Sequence, residues 1–185
     1  MALAASMAVA VSAQGVKKMS VLADGSRELI TTNCRYARSN GIGGGLFGSS
    51  RSIAMSLITK PDDSMTWCVV LPLTVKQRCE IAEGSRLKLR LQNGTSVALR
   101  CALGVKKNDN HEELDRSYTI APRYAISEEQ IAGLSQWEVE SLSLETSAGI
   151  IDIDRRDYTH EWRFSTMIQR CHNVLKWKLD ELNQL

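Results

Sequence analysis

The chain has 185 residues and a mass of 20.5 kDa, which suits one domain of ordinary size. Apolar residues make up 43% and charged residues 24%, a balance typical of a globular protein and not of a disordered chain. The net charge is only +2, so bulk charge gives no argument for nucleic acid, and we expect no nucleic-acid partner. No apolar run approaches the roughly 20 residues of a spanning helix, so we expect no transmembrane segment.

The N-terminal segment MALAASMAVAVSA, residues 1–13, carries no charge and ends in Val-Ser-Ala. Small residues at the exit of an uncharged apolar core are typical of a secretory signal peptide, with cleavage after Ala13. The basic segment that should precede the core is missing, and a start assigned too far downstream would explain this; the alternative is a buried Ala-rich helix. We expect an exported protein, periplasmic or extracellular at the cell surface. The predicted organisation is a signal peptide (1–13), a polar lead-in (14–26) and a single globular domain (27–185).

The five cysteines are spread without any C-x-x-C pair: Cys34, Cys68, Cys79, Cys101 and Cys171. Zinc ribbons and thioredoxin-type redox sites need closely spaced pairs, and we expect neither a metal nor a cofactor. Apolar patterns surround three of them, which favours buried structural thiols. An oxidising compartment would also allow one or two disulfides, and the spacing leaves their pairing open.

Hydrophobic periodicity predicts more strands than helices, and the two do not alternate. Strands are predicted over residues 29–39, 52–59, 65–73, 118–124, 139–144 and 149–153, with a hairpin over 86–103. Ser127 and Gln130 form a capping box that begins a short helix. An apolar stripe at 3.6-residue spacing predicts a long helix over 160–182. We therefore expect an α+β fold, with a mostly antiparallel sheet built from hairpins, one short mid-chain helix and a long C-terminal helix packed on the sheet.

The hairpin over residues 86–103 is the best-defined element. A two-residue Asn-Gly loop would place Leu87 opposite Arg100 and mix apolar and charged side chains on one face, whereas a three-residue loop over 92–94 places Leu87 opposite Leu99 and separates the faces. Gly94 then supplies the left-handed residue that such a loop requires. We predict the three-residue loop, and a second hairpin that turns at residues 146–148.

Four basic side chains share the polar face of the first hairpin in this register: Arg86, Lys88, Arg90 and Arg100. Arg86 is directly opposite Arg100, and like charges in that position are unfavourable. One interpretation is that Asp152 and Asp154, alternating on a neighbouring strand, compensate the charge. The other is that an anionic ligand does so, whether an acidic glycan, a lipid headgroup or the surface of a protein partner.

Two further patterns are candidates for chemistry. The glycine-rich stretch over residues 41–48 formally matches G-x-G-x-x-G, but a strand period follows it where a dinucleotide site needs a helix, so its role stays open. Cys171 and His172 are adjacent and could serve a small hydrolase-like enzyme as nucleophile and base. Since Cys171 lies in the middle of the apolar stripe, a buried thiol beside a boundary histidine is the favoured interpretation.

The second half of the chain resembles small exported proteins of Bacteroidetes-type bacteria. The resemblance is carried by the Gly-turn hairpin, by YAISEEQIAGL at residues 124–134, by LSLETSAG at 142–149 and by the closing helix. Those proteins have no assigned activity, so the resemblance implies export and the same kind of fold. We therefore expect an exported binding or accessory module without evident catalysis, which contacts an anionic ligand through the hairpin; the alternative is the hydrolase-like enzyme.

Overall fold

The computed structural model describes residues 15–38, 50–113, 117–158 and 161–183. The strands are β1 (Val16–Val21), β2 (Arg27–Thr31), β3 (Cys34–Arg38), β4 (Ser50–Thr59), β5 (Met65–Val70), β6 (Leu73–Val75), β7 (Arg86–Leu91), β8 (Ser96–Leu103), β9 (His111–Glu112), β10 (Tyr118–Ile120), β11 (Arg123–Ala125), β12 (Val139–Thr146), β13 (Gly149–Asp154) and β14 (Glu161–Trp162). The helices are α1 (Glu128–Gly133) and α2 (Phe164–Asn183), with 3-10 turns at Lys107–Asp109 and Arg155–Asp157. None of the helices in the described ranges is long and apolar enough to cross a membrane.

The main sheet has the strand order β1-β2-β4-β5-β11-β8-β7-β12-β13, and β3 joins it by pairing with β4 and with β14. A small second sheet has the order β6-β10-β9. The pairings are antiparallel. The predicted α+β fold is confirmed: a mostly antiparallel sheet carries one short mid-chain helix and a long C-terminal helix.

The core lies between α2 and the inner face of the sheet. The apolar stripe of α2 is buried at Phe164, Ile168 and Leu175, and the helix packs against β1, β2, β3 and β4. The ring of Tyr36 in β3 meets that of Phe164 edge-on, with centroids 5.0 Å apart. Packing on this stripe, more than helix propensity, fixes the position of α2.

The long helix begins later than predicted. It starts at Phe164, whereas the sequence pattern placed its first residue at 160, which lies outside the described residues together with 159. The chain just before the helix is extended instead: Trp162 in β14 pairs with Ala37 in β3, and the backbone N–H of Arg163 donates to the carbonyl of Tyr36 at 2.7 Å. Pairing with β3 therefore takes two residues that the periodicity assigned to the helix.

The start of α2 is also fastened to the strand that borders the candidate site described below. The indole Nε1 of Trp162 donates to the carbonyl of Val139, at the start of β12. The backbone N–H of Val139 in turn donates to Oγ of Ser165 at 3.2 Å. These bonds hold β12 beside β14, although the two strands are not paired.

Strand β1 lies within the segment predicted to be a polar lead-in, residues 14–26. It pairs with β2, with Met19 opposite Leu29, so the sheet begins before residue 27. The apolar residues Val16 and Met19 are three positions apart, which breaks the alternation that would have marked a strand, and the register against β2 shifts at the same place. The predicted signal peptide and the glycine-rich stretch lie outside the described residues.

The turn chemistry is confirmed at the first hairpin and at α1. Leu87 is opposite Leu99 and Gly94 has φ +83°, as the three-residue loop requires. Ser127 Oγ accepts from the backbone N–H of Gln130 at 3.1 Å, and the Gln130 side chain accepts from the Ser127 N–H at 2.9 Å. The second hairpin differs from its prediction: Thr146 pairs with Gly149, so the loop has two residues, and Gly149 has φ +115°.

Candidate functional site

Strands β7 and β8 present four basic side chains on the outer face of the sheet. In β7 the sequence RLKLRL buries every second residue, which places its leucines in the core and its cations in solvent. Leu99 in β8 is buried in the same layer. We define the basic face as the exposed side chains of Arg86, Lys88, Arg90 and Arg100.

The basic face contains a directly opposed pair of like charges. Arg86 is opposite Arg100 in the β7–β8 ladder, which places their Cβ atoms about 5 Å apart. Arg100 Nη1 donates to the carbonyl of Gly84 at 3.0 Å. That acceptor is neutral, so the bond orients the guanidinium of Arg100 and leaves its charge uncompensated.

Asp152 does not neutralise the face directly, because a serine strand separates it from the cations. Lys88 is opposite Ser143 in β12, and Ser143 is opposite Asp152 in β13. Two strand spacings are about 10 Å, and the screening length at physiological ionic strength is about 8 Å. The Ser143 hydroxyl donates to the Asp152 carboxylate, which gives that carboxylate a local partner.

Asp154 is matched to a different arginine. Ser141 separates it from Arg90 in the same way. Arg156 donates to both Asp154 carboxylate oxygens, from Nε and Nη2, each at 2.9 Å. These bonds, together with the nearby positive charge of Arg90, lower the pKa of Asp154 to about 2, so the group is ionised. Its main partner is Arg156, and it offsets part of the charge of Arg90.

Compensation of the basic face comes from a residue that the sequence analysis missed. Glu140 Oε2 lies 3.8 Å from Arg90 Nε, with the two side chains 40% and 63% exposed. An ion pair so exposed contributes little, about 0–1 kcal/mol. Within the described part of the chain, this is the only ion pair between the basic face and a carboxylate.

Glu140 reaches Arg90 because β12 is bulged there. The register against β7 shifts between Val139 and Ser141, so Glu140 is an extra residue in the ladder. The signal was present in the sequence: the buried residues Val139 and Leu142 are three positions apart, where a regular strand would place them two or four apart.

A cavity of about 240 Å³ opens at the Arg90 end of the basic face. Glu140, Ser141 and Asp154 line it together with Arg155 and Arg156. The exposed guanidinium groups here and on β7 are suited to planar anionic groups, which they can bind with two parallel hydrogen bonds. Side chains two apart on a strand are about 7 Å apart, so the face can contact several anionic groups of an extended ligand.

Cys171 and His172 are not brought together as a nucleophile and its base. Cys171 is 1% exposed, and its Sγ lies 3.0 Å from Sγ of Cys34. That contact and burial raise the pKa of Cys171, so the reactive thiolate is disfavoured. The His172 ring packs edge-on against Trp67 instead, with centroids 4.6 Å apart, and its Nε2 lies 3.7 Å from Glu128 Oε1. Burial lowers the pKa of His172, which favours its neutral form.

Neither a search for metal ligands nor comparison with known proteins identifies another site. Among the described residues, no group of three or more His, Cys, Asp or Glu side chains is placed to hold a metal ion. Comparison of the chain with protein-family models, with curated proteins and with solved structures finds no match. A functional proposal therefore rests on the geometry and charge of the basic face.

Proposed function

We propose that the protein is an exported binding module that holds an anionic ligand on its basic face. The observation that carries the proposal is the exposed opposition of Arg86 to Arg100. The carboxylate of Glu145 accepts from the backbone N–H of Arg86 at 3.3 Å, and the ion pair on this face is the weak one between Arg90 and Glu140. Like charges directly opposite destabilise a strand pair. An anionic group placed between the two guanidinium groups turns this repulsion into two charge-assisted hydrogen-bonding contacts.

An acidic polysaccharide fits this surface best. The residues directly opposite Lys88 and Arg90 in the two neighbouring strands are small or carry hydroxyl groups, namely Ser96, Ala98, Ser141 and Ser143. A lipid surface would favour apolar or aromatic side chains able to enter the interface. Met65 and Trp67 line a cavity together with Arg100, whereas the residues opposite Lys88 and Arg90 are serines and an alanine. Hydroxyl groups interleaved with cations can instead bind both the sulfate or carboxylate groups and the hydroxyl groups of a sugar chain.

Export is part of the same proposal, because acidic polysaccharides are surface and extracellular polymers. The support is the uncharged N-terminal core that ends in Val-Ser-Ala. N-terminal sequencing of the protein recovered from its native host should find Gln14 or its cyclised form, whereas an intact N-terminus in the cytosol would contradict export.

Binding to an immobilised sulfated polysaccharide tests the ligand site. The wild type should be retained at low salt and released as salt rises, since exposed charges are screened. The double variant Lys88→Glu/Arg90→Glu should lose retention with little change in melting temperature. The matched control is Lys107→Glu/Lys176→Glu, two exposed lysines outside β7 and β8. Both double variants change the formal net charge from +2 to −2, so position alone distinguishes them.

Three outcomes would overturn the proposal. Failure of the wild type to bind would leave the four cations with a structural role only. Equal loss of binding in the two double variants would mean that the polymer senses net charge and not this face. Stronger binding to vesicles that contain anionic lipid than to the polysaccharide would assign the face to a membrane surface.

A further inference from the structure

Cys34 and Cys171 bring their sulfur atoms together across the interface between the helix and the sheet. Their Sγ atoms are 3.0 Å apart, about 1 Å more than a disulfide bond of about 2.05 Å. Cys34 is the first residue of β3, and Cys171 lies at the start of the third turn of α2. The two residues are 137 positions apart, so only the tertiary fold makes them neighbours.

The pair is enclosed by the core. Cys34 is 3% and Cys171 1% exposed. Cys34 is opposite Ile53 in β4, and Cys171 lies between the fully buried Ile168 and Leu175 on the stripe of α2. Each sulfur already faces the other inside the packed layer, so bond formation needs a small approach and no rearrangement of the fold.

We propose that Cys34 and Cys171 form an intramolecular disulfide that ties α2 to β3. The oxidant is a disulfide of the glutathione class. The thiolate of one cysteine attacks it to give a mixed disulfide and one released thiol, and the second cysteine then displaces the other thiol. Two protein thiols and one oxidant disulfide thus become one protein disulfide and two small thiols, with two electrons and two protons transferred to the oxidant.

Burial of the two sulfur atoms determines when the disulfide forms. Contact with Cys34 and desolvation raise the pKa of Cys171, so the thiolate that starts exchange is scarce in the packed protein. Oxidation therefore takes place during folding, before α2 covers β3. An oxidising compartment outside the cytosol supplies a disulfide oxidant while the chain folds. Formation of the Cys34–Cys171 disulfide does not depend on the proposed binding of an anionic ligand.

The other three cysteines are expected to remain thiols. Cys68, Cys79 and Cys101 are all buried, and burial raises the pKa of each. Cys68 lies in β5, and its Sγ contacts the carbonyl of Thr66 at 4.0 Å. These residues provide internal controls, because the sulfur–sulfur contact that the structure gives among the five cysteines is that of Cys34 with Cys171. The native fold therefore does not favour a disulfide at the other three positions.

Refolding the full chain with and without glutathione disulfide tests the proposal. Denaturation and alkylation should count five thiols after refolding under reduction and three after refolding with the oxidant. Mapping of unreduced peptides should link the segments that contain Cys34 and Cys171. Five thiols under both conditions would overturn the proposal, as would a link that involves a different cysteine.

The melting temperature provides a second test that does not depend on any variant folding as well as the wild type. A cross-link closing a loop of this length restricts the unfolded chain strongly, and the oxidised wild type should melt about 5–15 °C above the reduced protein. Each variant is compared with itself under the two conditions. Cys171→Ala should abolish the difference, whereas the control Cys79→Ala should keep it. The same difference in both variants, or none in the wild type, would contradict the assignment.

Discussion

The substitution Glu28→Gln removes one charge from the most buried ion pair in the described part of the chain. The Glu28 side chain, in β2, is 3% exposed and accepts from Arg123 Nε at 2.9 Å and from Nη2 at 3.0 Å. Arg123, in β11, also donates to the carbonyl of Ala121 at 2.8 Å. Glutamine has nearly the same volume, so the perturbation is the loss of charge and of one strong acceptor.

The expected loss of stability in Glu28→Gln comes from the Arg123 charge, which stays in place without its partner. Breaking a fully buried pair by neutralising one partner costs about 3–5 kcal/mol, because the other charge stays buried without compensation. Arg123 is 22% exposed, so water relieves part of this cost, and we expect Glu28→Gln to lower the free energy of unfolding by about 2–4 kcal/mol. For a chain of this size that is a fall in melting temperature of about 5–12 °C.

Urea unfolding followed by circular dichroism measures the effect, with Arg123→Met and the double variant completing a cycle. The double variant should be more stable than the sum of the two single losses predicts, because it buries no unmatched charge. Binding of Glu28→Gln to the sulfated polysaccharide should equal that of the wild type, since the pair lies outside the basic face. A single variant within about 0.5 kcal/mol of the wild type, or strictly additive losses, would refute this account of the pair.

Two other predictions concern a loop and a histidine. Gly94→Ala should destabilise the protein by about 1 kcal/mol, as measured by urea unfolding. Gly94 has φ +83° and open space where a Cβ would lie, so the loss of stability comes from backbone strain alone. A Gly94→Ala variant as stable as the wild type would contradict this explanation. Burial against Trp67 lowers the pKa of His172 below its value near 6.5 in the unfolded chain, while Glu128 opposes this shift. The unfolded state therefore takes up a proton first, and stability should fall as the pH drops below about 6.5. In His172→Gln this fall should be smaller between pH 7.5 and 5.5; equal falls in the two proteins would contradict the assignment.

Local patterns predicted those parts of the fold that local forces decide. Strict alternation in β7 identified which side chains face the core, and one glycine with positive φ selected the loop at Gly94. The capping box at Ser127 needs only its own turn, so it could be predicted without the rest of the chain. The basic face was accessible to sequence reasoning for the same reason.

Features that depend on distant partners were not predictable in this way. Strand β14 exists because β3 is available to pair with it, and so the start of α2 was placed too early. Glu28 lies in a strand whose sequence does not indicate burial, and its partner Arg123 is 95 positions away. The pairing of Cys34 with Cys171 has no counterpart in the cysteine spacing, since it arises where α2 crosses β3.

The carboxylates near the basic face were predicted in part from the sequence and in part missed. The sequence placed Asp152 and Asp154 on a strand with the correct alternation, but the structure inserts β12 between them and the cations. Glu140 is closer to Arg90 because of a bulge, which shifts a side chain that regular alternation would place elsewhere. Neighbouring strands in a sheet are set by topology, which residue patterns within one strand do not specify.

Acetylation of Lys88 in the presence of a sulfated polysaccharide tests the central claim most directly. Lys88 is the one lysine of the basic face, and the exposed Lys176 on α2 serves as the reference within the same molecule. At a polymer concentration ten times Kd, mass spectrometry should find Lys88 modified about tenfold more slowly than without polymer, with the Lys176 rate unchanged. Equal rates at Lys88 with and without the polymer, or equal protection of both lysines, would contradict a binding site on this face.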